Sequence, residues 1–261
     1  MAWRLLGCPR MNASLYGAAA ALDGNIKWQQ MIAENLAAGS TPGFKKNEIS
    51  FSTVAAGVLG AGSDAVTGQR NPTLLPKPSF ATNYQQGSLQ GTGTASDIAL
   101  DGPGFLAVRL PDGNLYYTRD GSFRVNLQGE IRNKDGYELV ADGGATIIVN
   151  PRNKDSISVS PAGEIGEGGL IKGKLSLFEF ADPAQLKPIG NGYFLPRADA
   201  QPVAATQTTV SQSQLEASNT IPMVEMSNLM LALRHYEANQ KVIQMSDERM
   251  GRAIQELSAT T

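Results

Sequence analysis

The sequence predicts an α+β protein: an N-terminal and a C-terminal helix paired as a coiled-coil-like axial domain, with an antiparallel β-rich domain inserted between them. Three observations carry this expectation. Apolar residues recur at alternating steps of three and four near both chain ends, and the middle is cut into short β-prone runs by Asp-Gly and Gly turn signals. Between these regions lie stretches rich in Gly, Ser, Thr, Gln and Pro, which read as connectors. The resulting division is 1–10 as a frayed tail or upstream-start extension, 11–50 as helix and turn, 51–97 as extended linker, 98–196 as β-rich domain, 197–221 as return linker and 222–261 as the last helix.

Residues 1–10 carry one basic residue before the short apolar pair Leu5-Leu6, then Gly7 and Pro9. A secretory signal needs a longer apolar stretch and a small-residue cleavage site, so the segment does not read as one. Translation from Met1 and from Met11 are both compatible with it.

Ser14 to Ala38 predicts the first helix, with Asn12 or Ser14 as N-cap. Leu15, Ala18, Leu22, Ile32 and Leu36 form its narrow seam, interrupted by Asn25 and Gln29. Gly39-Ser40-Thr41-Pro42-Gly43 ends it, combining a C-cap glycine with a Pro-Gly turn. At about 1.5 Å per residue the helix measures 35–40 Å.

Thr53–Gly93 has little apolar periodicity, and Pro72, Pro76 and Pro78 favour extended backbone. Strands are then predicted at Gly104–Leu110, Leu115–Arg119, Phe123–Leu127, Thr146–Val149, Ser156–Val159 and Lys174–Phe180. Pro222 opens the last helix, which runs to about Leu257. Its seam is Met226, Leu229, Leu233, Tyr236, Gln240, Ile243, Asp247, Met250, Ile254 and Leu257, every step being three or four. Glu237 with Lys241 and Glu248 with Arg252 give favourable i,i+4 pairs on the outer face. Narrow-seamed helices depend on burial for most of their stability. The partner expected for each is the other, and the leftover apolar flanks Ile26, Leu231 and Val242 call for neighbouring copies.

Composition excludes several classes. The chain has 261 residues, 41% of them hydrophobic, which suffices for a sizeable core. The formal net charge of -2 leaves no basic footprint for nucleic acid, and no apolar run reaches bilayer-spanning length. A single cysteine, Cys8, rules out an intrachain disulfide. His235 is the lone histidine, one step off the seam, and lacks the Cys or His partners of a zinc site. Asp101-Gly102, Asp112-Gly113 and Asp120-Gly121 lack calcium-loop spacing and read as turns. Gly91-Thr92-Gly93 and Gly166-Glu167-Gly168-Gly169 complete no phosphate-loop pattern, and no serine lies in a Gly-x-Ser-x-Gly elbow. No catalytic residue, metal or cofactor is expected. The polar seam positions Asn25, Gln29, Gln240 and Asp247 admit two readings: contact with water where the seam opens, or a buried device that sets register between copies.

Three segments together resemble the flagellar rod and hook family. The first is Ala33-Glu34-Asn35-Leu36-Ala37 followed by Thr41-Pro42-Gly43-Phe44-Lys45, with Glu34 where the family usually has Asn. The second runs from Gln86-Gly87-Ser88-Leu89 through Asp97-Ile98-Ala99-Leu100-Asp101-Gly102-Pro103-Gly104-Phe105 to Tyr117-Thr118-Arg119-Asp120-Gly121-Ser122-Phe123. The third is Leu215-Glu216-Ala217-Ser218-Asn219, then Glu225-Met226 and Arg234-His235-Tyr236-Glu237-Ala238-Asn239. The resemblance implies a non-enzymatic subunit of the basal-body rod, exported from the cytoplasm by the flagellar type III apparatus without a cleaved signal. It also implies helical polymerisation with copies of itself and other rod proteins, transmission of torque and enclosure of the export channel. Gly169–Phe180 and Asn239–Gln244 look more like the proximal than the distal rod member. The alternative of another class is a secreted β-domain binding module with helical oligomerisation arms, in which Tyr116-Tyr117 would stack on sugars.

Overall fold

The computed structural model describes residues 13–56, 73–111, 113–152 and 157–259. The expectations for Met1, Cys8, Met11 and Asp112 lie outside the described residues. The chain divides into two compact units.

One unit holds two helices and a β-ribbon. Helix α1 is Ala13–Ala37, contributing to this unit as far as Glu34. Strands β1 (Asn47–Ala56) and β2 (Thr73–Thr82) pair only with each other among the described residues. Helix α2 is Pro222–Ala259, 38 residues, with Pro at its first position where a missing N–H costs nothing. Trp28 of α1 meets Phe51 of β1 edge-on at 6.0 Å and lies 6.1 Å from the His235 ring of α2.

The expected coiled-coil pairing of α1 with α2 is overturned. Met226, Leu233, Met250 and Ile254 of the expected α2 column are 52%, 45%, 46% and 66% exposed. The covered positions described on α2 are instead Glu225, Asn228, Leu229, Ala232, Tyr236, Asn239, Ile243 and Ser246. One column of the heptad is retained and the other is displaced by a single residue. The displaced column carries Glu, Ala, Asn and Ser, which supply no large apolar knobs for a neighbouring helix, and knobs-into-holes packing needs both columns filled. Helix α1, at 25 residues, is also much shorter than α2.

The second unit is the antiparallel β body, made of Asn35–Asn47 and Thr82–Pro222. Its strands are β3 (Leu89–Gly91), β4 (Ile98–Asp101), β5 (Phe105–Arg109), β6 (Leu115–Thr118), β7 (Phe123–Val125), β8 (Ile131–Asn133) and β9 (Glu138–Leu139). Next come β10 (Ile157–Val159), β11 (Glu164–Glu167), β12 (Leu170–Lys174), β13 (Leu177–Glu179), β14 (Leu186–Gly190) and β15 (Tyr193–Pro196). The last are β16 (Val203–Ala204), β17 (Thr209–Gln212) and β18 (Gln214–Glu216). The main sheet runs β14-β15-β6-β5-β9-β8-β7, with β13 also on β5 and β16 on β13; β10-β11-β12 form a second sheet.

A core of Ile98, Leu100, Leu106, Val108, Phe123 and Leu139 fills one side, and Phe105, Tyr117, Phe180 and Phe194 build an aromatic cluster on the other. Alternate residues of β5 feed the two clusters, which is why its Phe105-Leu106-Ala107-Val108 run is buried throughout. The stretches read as connectors also form strands: β3 and β18, both within them, pair with each other, and β17 pairs with β4 of the β-rich segment. Thr146–Val149, expected as a strand, contributes isolated bridges from Thr146 to Val140 and from Ile148 to Glu130.

Candidate assembly site

Within the β body, parts of all three sequence motifs fold onto one locus. Glu216, at the end of β18, is buried with the Lys45 ammonium and the Arg119 guanidinium on its two carboxylate oxygens at 2.5 Å and 3.2 Å. Gly87 N–H donates to the same Oε1 at 2.8 Å, and Gly43 N–H donates to the Glu216 carbonyl at 2.7 Å. Lys45 Nζ also donates to the Gln85 carbonyl, and Arg119 Nη2 to that of Gly102, while the guanidinium carbon sits 5.0 Å from the Phe105 ring centre. Burial pulls both cations below their usual ranges, and the facing carboxylate opposes that pull.

Asparagines close the same locus. Asn35 and the backbone of Asn47 exchange two hydrogen bonds, pinning the end of α1 to the following chain. Asn219 accepts from Lys46 N–H and donates to the carbonyls of Asn83 and Gln85.

The motif glycines are there for room. A Cβ on Gly43, at φ +68°, would fall 2.3 Å from the Arg119 carbonyl carbon. On Gly104 it would meet the Thr208 hydroxyl at 2.5 Å, and on Gly121 the Ile98 carbonyl oxygen at 1.6 Å. Thr208 Oγ1 accepts from Gly104 N–H and donates to Glu179, so one hydroxyl just before β17 ties the β4–β5 connection to the end of β13.

The expected site residues therefore divide. Asn35, Gly43, Phe44, Gly102, Gly104, Phe105, Glu216 and Asn219 converge here; Leu36 and Leu215 are half-buried in the same unit. Arg234, Tyr236 and Glu237 lie on α2 in the other unit, with only Tyr236 partly covered. Of the seam, Ala18 and Ile32 are buried, Leu22, Leu229, Tyr236 and Ile243 half-buried, and Met226, Leu233, Met250 and Ile254 exposed. The side chains of Leu15 and Leu257 lie outside the described ones. Among polar seam positions Asn25 is buried and Gln29 half-buried, whereas Gln240 and Asp247 are exposed. Ile26, Leu231 and Val242 are exposed.

Lys45, Gly87 and Arg119 were not singled out from sequence as site residues. Charged residues inside glycine-flanked, otherwise apolar motifs were the available signal, because such charges fold inward only when paired. Tyr117 is buried edge-on between Phe178 and Phe180, and Tyr116 packs on the core, so the pair offers no sugar platform.

Residues 99–166 match the model of the flagellar hook protein FlgE/F/G D1 domain, and residues 211–256 that of the flagellar basal body rod FlgEFG protein C-terminal region. The flagellar basal-body rod protein FlgG of Buchnera aphidicola subsp. Schizaphis graminum is 30% identical, over 94% of this chain and 100% of the relative. FlgG of Borreliella burgdorferi is also 30% identical, over 92% and 97%, and FlgF of Caulobacter vibrioides 28%, over 87% and 90%. No helix among the described residues is long and apolar enough to cross a membrane. Similarity of this extent to structural, non-enzymatic rod subunits places the chain in the flagellar basal-body rod protein family.

Proposed function

We propose that this rod-family subunit polymerises helically with copies of itself and with other rod proteins, through the apolar surface that α2 leaves uncovered. One observation carries the reading. Met223, Met226, Met230 and Leu233 recur at steps of three and four along an exposed face of α2, and Leu231 and Met245 add to the apolar surface. A soluble monomer rarely maintains a contiguous apolar face of this kind, and methionine-rich surfaces adapt readily to more than one partner. A polymer of this sort transmits torque and encloses an export channel, and the subunit reaches it through the flagellar export apparatus. The proximal position is the finer part of the reading and rests on 169–180 and 239–244.

The test is a deletion strain complemented with either the natural sequence or Met226→Asp with Leu233→Asp. Loss of motility and of the rod in both the deletion and the variant strain is expected, and images of arrested basal bodies locate the subunit along the axis. Normal rods in the deletion strain would reject the proposal.

A further inference from the structure

Methionine is concentrated where α2 is bare. Of the chain's eight methionines, five lie on α2, and of the other three only Met31 is among the described residues. Met223, Met226, Met230 and Met245 are 77%, 52%, 58% and 55% exposed, whereas Met31, on α1 of the same unit, is 7% exposed. At about 3.6 residues per turn, these four fall within an arc of about 100° around the helix. The covered positions Ala232, Tyr236, Asn239 and Ile243 occupy the opposite side. The fifth, Met250, is exposed but lies outside the arc.

Filling an apolar surface does not require sulfur, and Leu233 and Ile254 supply aliphatic area on the same helix. What methionine adds is a thioether, which two-electron oxidants convert reversibly to a sulfoxide. The change turns a flexible apolar side chain into a polar one. On an exposed helix face the new oxygen stays in water, and the fold loses nothing. Under a neighbouring subunit it becomes an acceptor taken out of water, which opposes association unless a donor meets it.

We infer that Met223, Met226, Met230 and Met245 form a reversible oxidation site that controls entry of the subunit into the polymer. The oxidant is a peroxide. With hydrogen peroxide, a sulfur lone pair attacks one oxygen, the S–O bond forms and the O–O bond breaks. The proton on the attacked oxygen passes to the departing hydroxide, which leaves as water. Sulfur gives up two electrons and the peroxide takes them. Methionine sulfoxide reductase reverses the change: a dithiol supplies two electrons, becomes a disulfide, and the oxygen leaves as water. The free subunit is open to this reaction and the assembled one is closed to it, because assembly covers the face. The inference rests on the polymerising reading above and supplies its regulation.

The experiment uses the full chain with its sole native cysteine removed by Cys8→Ser, which confines sulfur oxidation to methionine. Hydrogen peroxide is applied to dilute subunit and to isolated basal bodies, and mass spectrometry of peptides gives the rate at each methionine. In dilute subunit the four should oxidise faster than Met31 by roughly tenfold or more, and in basal bodies the excess should vanish. Equal rates in dilute subunit would overturn the site. Oxidised subunit should keep its melting temperature but lose association in sedimentation of concentrated protein, and reductase treatment should restore it. A variant carrying Met223→Leu, Met226→Leu, Met230→Leu and Met245→Leu should associate normally and ignore peroxide, although its Met250 still oxidises. Oxidised subunit that associates as well as untreated subunit, or a leucine variant that peroxide still disables, would overturn the inference and leave the polymerising reading intact. Untreated subunit that fails to associate, with the four methionines oxidising as fast in basal bodies as in dilute solution, would remove the polymerising reading and this inference with it.

Discussion

Lys45 and Glu216 are 171 residues apart in sequence, yet their side chains form an ion pair with each only 1% exposed. One lies just after α1 and the other shortly before α2. The pair therefore closes the β body only once chain from both ends has arrived. Breaking a buried pair by removing one partner typically costs about 3–5 kcal/mol, because the charge left behind has neither water nor counter-ion. Glu216→Ala strands two cations, Lys45 and Arg119, and a loss at the upper end of that range is expected. Urea unfolding followed by the near-UV signal of the tyrosines measures it. A change below about 1 kcal/mol would mean that water reaches the cations.

Gly87 and Gly91 offer a matched comparison. A Cβ on Gly87 would lie 1.9 Å from the Ala217 carbonyl oxygen, whereas one on Gly91 meets nothing within 4 Å. The neighbour at Gly87 is backbone and cannot rotate away. Gly87→Ala should destabilise by about 1–3 kcal/mol or more through overpacking. Gly91→Ala should be neutral or stabilise by about 0.4–1 kcal/mol through the unfolded chain. Thermal unfolding of the two variants decides, and equal midpoints would refute the steric account.

Glu179 supplies a pH dependence. Burial by itself would raise its carboxyl, but hydrogen bonds from Thr208 Oγ1 and Gln207 N–H, at 2.7 Å and 2.9 Å, outweigh burial and hold it below its usual value of 4.5. A carboxyl with a lowered folded-state value adds stability above the unfolded value and loses it as pH falls through the folded one. The melting-temperature gap between the natural chain and Glu179→Gln should be widest near neutral pH and close progressively below pH 4.5. A gap independent of pH would assign the effect to packing.

The sequence displayed α1 well because its helix has both a periodic seam and a Pro-Gly stop, and Ile32, on that seam, is fully buried. The β body was legible where Asp-Gly turns separate adjacent strands, as between β5 and β6. It was illegible where the partner is remote: β18 pairs with β3 and β17 with β4, more than a hundred residues away, and neither short strand has an alternation long enough to read. The site was half visible for the same reason. Glu216, Gly43 and Phe105 stand in recognisable motifs, but nothing local says that Lys45 and Arg119 converge on one carboxylate. On α2 the heptad was read correctly as a period and incorrectly as a face. Leucine and methionine mark the column open to solvent, while the covered column is marked by small and polar residues.

That displaced column makes Ala232 and Leu233 the sharpest test of α2. Ala232 is fully buried and Leu233 is exposed, although hydrophobicity alone ranks them the other way. Ala232→Leu adds methylenes where there is no room, and a loss of about 1–3 kcal/mol in the isolated chain is expected. Leu233→Asp removes only solvent-facing surface and should change the isolated chain's stability by less than about 0.5 kcal/mol. In the polymer the ranking should reverse in kind. Leu233→Asp places a charge in the surface that neighbouring copies must cover, so sedimentation of concentrated protein should show lost association with an intact fold. If Leu233→Asp unfolds the monomer while Ala232→Leu is tolerated, the heptad seam read from the sequence is the true packing face, and the exposed column is not where subunits meet.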